Sequence, residues 1–592
     1  MISTPRVSAP ARSAAVLVVV ALAPLWLLGI FGRGLWTPDE PREADVAWRM
    51  SQQSDRSLPQ LAESPFLEKP PLSYWLSAAA LSVFGDSPAA LRAPNLLYAL
   101  IGALTVAALA LAMQADVGVA AIAALLTSSA LLVYRTAIWL APDACLLAGC
   151  ALALLGAWHG YRAPPGKAKA AGYTLMHLGA AVGFMAKSAP GWLVPGLALL
   201  TLIAWERRWS ELRRWELYAG LALQALIIGP WVLTVTRTAH GREALLTLFW
   251  HNVVGRFTRV ASPAALDYTS GHHNSPGKYF LELPLYLLPW TLLVLAAVVR
   301  AWTHARLPRP TGTAWRFALA ASVPFLILLS FAATARDVYA APALLGLGLL
   351  AGLWLHAAQE APTTLDRWLV RLTRWLIGAI AWALAGAVLV LGAAGVAPRL
   401  LAMAGAVATL AAAHTALVCA ARAQRRNDLP QSLGWSYTGY AAAFCLAALV
   451  AVPVIDRWQD LPTLARRIHA DTLHEPLALL DPDETTIAML DHGLRTPFTI
   501  LTSAASSETA HAIAPEQLVS TWFQAHGRDA RVLVLLPGHA AGRLTNRLAR
   551  FHPVAAPGDG IAGDLIASGA ATLEARYELP QGRRYALLGP PS

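Results

Sequence analysis

Charge is scarce in this chain. Only 14% of its 592 residues are Asp, Glu, Lys or Arg, whereas a soluble domain carries roughly a quarter, so most of the sequence is not written for water. Cysteine is scarcer: Cys145, Cys150, Cys419 and Cys445 each lie inside an apolar run, where a thiol behaves as a small hydrophobe. That usage excludes a disulfide-stapled scaffold. Acids are fewer than bases, 35 Asp and Glu against 46 Lys and Arg, which in a soluble protein raises nucleic acid as a partner. Here the basic residues sit in short clusters between apolar runs rather than along one polar face, so nucleic acid is excluded.

What is plentiful is hydrophobicity, 56% of residues. Apolar runs of roughly 17 to 23 residues predict an all-α polytopic membrane protein of about thirteen transmembrane helices. They lie near residues 13–30, 90–112, 117–134, 138–161, 172–186, 192–205, 215–235, 279–299, 316–333, 338–355, 369–391, 397–420 and 436–454. The first follows Arg6 and Arg12 and resembles a signal peptide, but its length and the lack of a small-residue cleavage site favour an uncleaved helix.

Basic residues crowd alternate connections: Arg162, Lys167 and Lys169; Arg207, Arg208, Arg213 and Arg214; Arg300, Arg306 and Arg309; Arg422, Arg425 and Arg426. The positive-inside rule turns those loops to the cytoplasm. The connections at 31–88 and 237–278 and the tail then face outward, into the periplasm of a Gram-negative cell, with the N-terminus cytoplasmic. The expected division is a membrane domain over 1–455 and a small periplasmic α/β domain over 456–592, where charged residues interleave with short apolar runs. A strand at 531–536, a Gly-rich turn and a basic helix at 543–551 make one unit of it, without a phosphate-binding glycine pattern.

The first outward loop opens with Trp36-Thr37-Pro38-Asp39-Glu40-Pro41-Arg42-Glu43. Read locally, Asp39 caps a helix over 42–53 and Glu43 stabilises its start. Read chemically, two carboxylates and a guanidinium at a membrane surface form a site. Further along comes Leu67-Glu68-Lys69-Pro70-Pro71-Leu72-Ser73-Tyr74-Trp75, whose prolines forbid regular helix and predict an extended geometry for Glu68 and Lys69. A lysine there can neutralise a phosphodiester and a glutamate can ligate a divalent cation; the alternative is a surface pair beside an interfacial aromatic anchor.

Together these motifs resemble the lipid A aminoarabinose transferases and their relatives among the protein mannosyltransferase-like membrane glycosyltransferases, which have the GT-C fold. The resemblance continues in order through Ala141-Pro142-Asp143, Met185-Ala186-Lys187-Ser188-Ala189-Pro190-Gly191, Gly255-Arg256-Phe257, His273-Asn274-Ser275-Pro276, Leu288-Pro289-Trp290 and the segment with Arg336, Tyr339 and Pro342. It covers about the first 350 residues. Two positions depart from the family pattern: Glu43 stands where a tyrosine is usual, and Ser188-Ala189 interrupts the usual Lys-Gly-Pro.

The resemblance implies an inverting transfer of a sugar from a polyprenyl-phosphate donor, its lipid in the bilayer and its phosphate and sugar in an outward cavity. The acceptor would be lipid A or another envelope glycan. The leaving phosphate gains charge, which calls for cations: Lys69 first, with Arg42, Arg256 and Arg336 behind it. Asp39 is expected at the reacting centre, with Asp143 as the second carboxylate. Glu40, Glu68, Tyr74, Lys187 and Tyr339 are expected to line the cavity. Glu68 with His273 suits zinc, with His251 and His272 as neighbours, although outward-loop histidines are more often simply solvated. Trp75, Trp250 and Trp290 read as interfacial anchors. A lipid-linked sugar transporter would instead place charge within the spans; a protein O-glycosyltransferase would share the donor.

Overall fold

The structure is a computed structural model describing residues 9–113, 115–239, 241–254, 274–334, 336–473, 475–495, 497–503, 513–537 and 560–591. Helix α1 (Ala9–Phe31) leads into α2 (Asp39–Gln52), a small hairpin of β1 (Gln60–Leu61) and β2 (Ser64–Pro65), and the short apolar α3 (Leu72–Phe84). Next come α4 (Pro88–Ala112), α5 (Val117–Ser129), α6 (Leu131–Ile138), α7 (Pro142–Arg162), α8 (Lys167–Lys187) and α9 (Pro190–Trp205). The chain continues with α10 (Trp215–Tyr218), α11 (Leu221–Thr236), α12 (Gly241–Leu246), α13 (Lys278–Tyr286), α14 (Thr291–His304), α15 (Thr311–Ala320) and α16 (Val323–Ser330). Long α17 (Ala343–Glu360), α18 (Thr364–Ala393), α19 (Arg399–Arg425) and α20 (Leu429–Trp458) complete the helical body.

Helix starts are written in the sequence. Ser87 accepts from the Ala90 amide with Pro88 next in line, Asp428 accepts from the Gln431 amide, and Thr363 with Asp366 forms a reciprocal capping box. Among the described residues, eight helices are long and apolar enough to cross a bilayer, or nine if α5 and α6, bent by 70° at Ala130, make one span. The expected number was about thirteen. The difference lies in helices such as α9 and α14, of 16 and 14 residues, and in α8 and α17, whose lysine and Gln359-Glu360 ends shorten their apolar length.

The α7–α8 pair is packed backbone to backbone. A β-carbon on Gly156 would lie 2.1 Å from the Met176 nitrogen, one on Gly179 2.4 Å from that of Ala153, and one on Gly172 2.3 Å from that of Gly160. Small residues permit this approach, the usual way helices gain contact where burial from water is not the driving force. Because the two helices run back to back, the start of α7 stands beside the end of α8, which brings Asp143 to Lys187.

After α20 come α21 (Leu461–Asp471) and a five-stranded sheet in the order β4-β3-β5-β7-β6. Its strands are β3 (Leu477–Leu480), β4 (Thr499–Leu501), β5 (Arg531–Leu535), β6 (Thr572–Glu578) and β7 (Arg584–Gly589). β3 is parallel to β4 and β5, whereas β5–β7 and β7–β6 are antiparallel. All four residues of β3 are buried, as expected of a strand covered on both faces. Helix α22 (Glu484–Leu494), which follows β3 and is capped by Asp483, packs on α2. α23 (Pro515–His526) covers the sheet with Val519, Trp522 and Phe523. The basic helix expected at 543–551 lies outside the described residues.

Candidate active site

Helix α2 begins at the surface of the helical body, and its first turn is the floor of a cavity of about 370 Å³. Glu43 is the hub beneath it. Its Oε1 accepts from Lys69 Nζ at 2.8 Å and from Arg42 Nη2 at 3.1 Å, and its Oε2 accepts from the Tyr74 hydroxyl at 2.7 Å. Burial pushes this carboxyl's pKa up, but Lys69 and Arg42 outweigh it and hold the group below the usual range. Burial likewise opposes the charge on Lys69, and Glu43 and Glu68 more than compensate, so its pKa is raised. The Tyr74 hydroxyl, buried against the charged Glu43, stays a phenol and a donor.

Arg42 is set among carboxylates: Asp39 Oδ1 at 3.2 Å, Glu43 and Glu484. Burial works against its charge, yet Glu43, Glu68, Glu484 and Asp39 raise its pKa well above the ordinary value. Arg336 Nη1 reaches the same Asp39 oxygen at 3.4 Å, so Asp39 stands between two guanidinia at the cavity wall. Opposite, Lys187 donates to Asp143 and lies 4.7 Å from the centre of the Tyr339 ring, a cation–π contact. Arg135 also borders the cavity and pairs with Asp337 at 3.6 Å.

Most of the residues expected to form a site therefore come together: Asp39, Arg42, Glu68, Lys69, Asp143, Lys187, Arg336 and Tyr339 all line one cavity. Two do not line it. Glu40 is fully buried elsewhere, accepting from Arg33 Nη2 at 2.8 Å and from the amides of Trp36 and Leu140, with Arg92 alongside. It fastens α2 to the helical body. Adjacent residues on a helix point about 100° apart, so the Asp39–Glu40 pair is split between cavity and core. Tyr74 acts from behind, through Glu43. The segment at Glu68 is a turn instead of extended chain, with α3 starting directly after Pro71.

Arg256 and His273 lie outside the described residues, and so does the proposed Glu68–His273 metal site; Glu68 itself stands 3.5 Å from Lys69 Nζ. Among the described residues no group of three or more His, Cys, Asp or Glu is placed to hold a metal ion.

The sequence reading missed Glu484. It comes from the helix after β3, more than four hundred residues from Arg42, and its Asp-Glu start reads as an ordinary cap. It also took Glu43 for a helix-stabilising acid and overlooked Arg135. Counted over the described residues, five carboxylates (Asp39, Glu43, Glu68, Asp143, Glu484) and five cations (Arg42, Lys69, Arg135, Lys187, Arg336) line the cavity. Over these described residues the charges nearly balance, and an entering anion must draw cations away from carboxylates already beside them.

A helical body rich in candidate membrane spans, with a charged cavity beside a docked α/β sheet, defines a polytopic membrane protein. Comparison with known proteins narrows the class. Residues 68–233 match the family model of dolichyl-phosphate-mannose-protein mannosyltransferases. The chain is 30% identical over 347 residues to the undecaprenyl phosphate-alpha-4-amino-4-deoxy-L-arabinose arabinosyl transferase of Pseudomonas aeruginosa, covering 58% of this chain and 59% of that one. It is 28% identical over 339 residues to the enzyme of the same name from Serratia proteamaculans. The match thus spans less than two thirds of the relatives' length. The crystal structure of ArnT from Cupriavidus metallidurans bound to undecaprenyl phosphate superposes with a TM-score of 0.72 over 97% of both chains at 20% identity. The resemblance drawn from the motifs stands: the chain is similar in sequence to the aminoarabinose transferases and has their fold.

Proposed function

We propose that this chain is a membrane glycosyltransferase that moves a sugar from a polyprenyl-phosphate donor to a lipid A or other envelope-glycan acceptor at the periplasmic face of the inner membrane. The observation that carries the reading is the cavity in which Asp39 stands between Arg42 and Arg336, with Lys69 and Lys187 close by. Breaking the anomeric C–O bond leaves a phosphate that gains negative charge, and cations fixed in advance at that point lower the barrier. Lys69 and Arg336 are the groups to receive it. Arg336 is the more open, 40% exposed at its side chain, whereas Arg42 is enclosed by three carboxylates and serves to orient Asp39.

Asp39 is then the carboxylate at the reacting centre. It takes the proton of a hydroxyl acceptor as general base, or, for a phosphate acceptor already ionised at neutral pH, stabilises the oxocarbenium-like sugar. Asp143, pinned by Lys187, is the second carboxylate of the site. Arg256, and a divalent cation at Glu68 and His273, belong to the same proposal. The periplasmic orientation of the cavity follows from the basic loop clusters.

The test is mass spectrometry of lipid A and envelope glycans from cells carrying the wild-type chain, Asp39→Asn or Lys69→Ala at matched expression. A sugar-sized mass present with wild type and absent from both variants is the expected outcome, and it names the acceptor. Unchanged envelopes with lipid-linked sugar accumulating would overturn the transferase in favour of transport.

A further inference from the structure

A second groove, of about 860 Å³, runs between α18 and α19, away from the site above. On α18 its wall is Arg367, Arg371, Arg374, Trp375, Gly378 and Trp382, spaced so that all fall on one face. Helix α19 returns antiparallel. Gln424, near its end, donates to the Arg367 carbonyl and accepts from Arg374, and Arg425 adds a fourth guanidinium at the same end. Arg374 lies about 10 Å further into the helix than Arg367.

Among the described residues none of these four arginines forms an ion pair with the chain. The acids closest in sequence are already engaged: Asp366 by Arg300 at 2.5 Å, Trp354 and its own cap, and Asp428 as the cap of α20. Beyond the arginines the groove is mostly apolar, His414 being the polar exception, with Trp375 and Trp382 turned outward at 73% and 69% exposure. Both helices are candidate membrane spans, so the groove opens to lipid. Uncompensated positive charge at one end and a mostly apolar slot along the rest is the complement of a phospholipid, and the basic end is the one the positive-inside rule turns to the anionic inner leaflet.

We propose that the α18–α19 groove binds an anionic glycerophospholipid, its phosphate among Arg371, Arg374 and Arg425 and an acyl chain lying past Trp375 and Trp382. A soluble anion satisfies only the first half of this surface.

The purified full-length chain in mixed phosphatidylglycerol and phosphatidylcholine nanodiscs, released into the mass spectrometer with its retained lipids, tests the proposal. Wild type is expected to retain phosphatidylglycerol over phosphatidylcholine by about tenfold or more, and the double variant Arg371→Gln/Arg374→Gln to lose that preference. Arg425→Gln, on the other helix, should weaken it in the same direction and covers the case in which the double variant does not fold. Equal retention of the two lipids by wild type, or an undiminished preference in the arginine variants, overturns the site. Displacement of the lipid by millimolar inorganic phosphate would mean a free-anion site and would equally overturn the lipid assignment.

Discussion

Two contacts position the charges of the cavity, and they work by different physics. The α7–α8 pair sets Asp143 beside Lys187 chiefly by steric fit, glycine against backbone, with charged groups at its two ends, where Lys187 meets Asp143 and Lys169 donates to the Gly160 carbonyl at 2.7 Å. The α2–α22 contact, which brings Glu484 to Arg42, is knit by ionisable groups. Arg49 pairs with Asp491, Asp45 is buried beside Asp491 while accepting from the Ala62 amide at 2.9 Å, and at the neighbouring turn between α3 and α4 His492 and Arg495 hold Asp86. The first contact rests mainly on shape. The second titrates.

Breaking the steric contact should have the largest effect. Gly156→Leu puts a branched side chain where even a β-carbon meets the Met176 backbone, and should cost more than ~3 kcal/mol. Loss of the monodisperse peak on size-exclusion chromatography is the expected result, at every pH; a well-behaved variant would mean that the helices separate readily.

The ionic contact should respond to pH with a defined sign. Burial, then the neighbouring Asp491 charge, pushes the Asp45 carboxyl up to about 8 from its ordinary 3.8. The folded chain therefore holds a proton that the unfolded chain releases above pH ~4. Stability from this group is complete below pH ~4 and falls as pH rises towards 8. Between pH 6 and 8 thermal unfolding should show a loss on the order of 2 kcal/mol, and Asp45→Asn should flatten it while stabilising the chain at pH 8. An unchanged slope in Asp45→Asn would place the titration elsewhere.

The smallest expected effect lies at the end of α8. Ser188 holds φ 62° and ψ −137°, a backbone region that suits glycine, and its buried hydroxyl finds no partner among the described residues. Ser188→Gly should add about 1 kcal/mol of stability, read as a rise in unfolding temperature with the Asp143–Lys187 geometry kept. A fall would mean that the serine side chain contributes more than the strain removes.

Much of this architecture was legible because it is local. Apolar runs, caps and proline boundaries are properties of short stretches, and the helices duly begin near Asp39, Pro88, Pro142 and Pro190. The motif residues Asp39, Lys69, Asp143, Lys187 and Arg336 converge on one cavity. What escaped was tertiary. Which of two adjacent acids faces a cavity depends on helix phase, so Glu40 was misplaced, and Glu484 reaches Arg42 only because β3 and α22 dock on α2. The break of α5 and α6 at Ala130 escaped for another reason: hydropathy registers composition but does not see a bend between two apolar helices.

The near-balance of charge in the cavity bears on how a ligand arrives. Association rates rise when a site projects a net field into solution and draws its partner from a distance. Among the described residues the cavity's guanidinium and ammonium groups face an equal set of carboxylates, an arrangement that casts little such field towards bulk water. A ligand tethered in the bilayer needs no such attraction, because its search is a lateral diffusion in two dimensions. On the proposed reading the affinity is felt only on contact, when the donor's phosphate displaces a carboxylate from its partner.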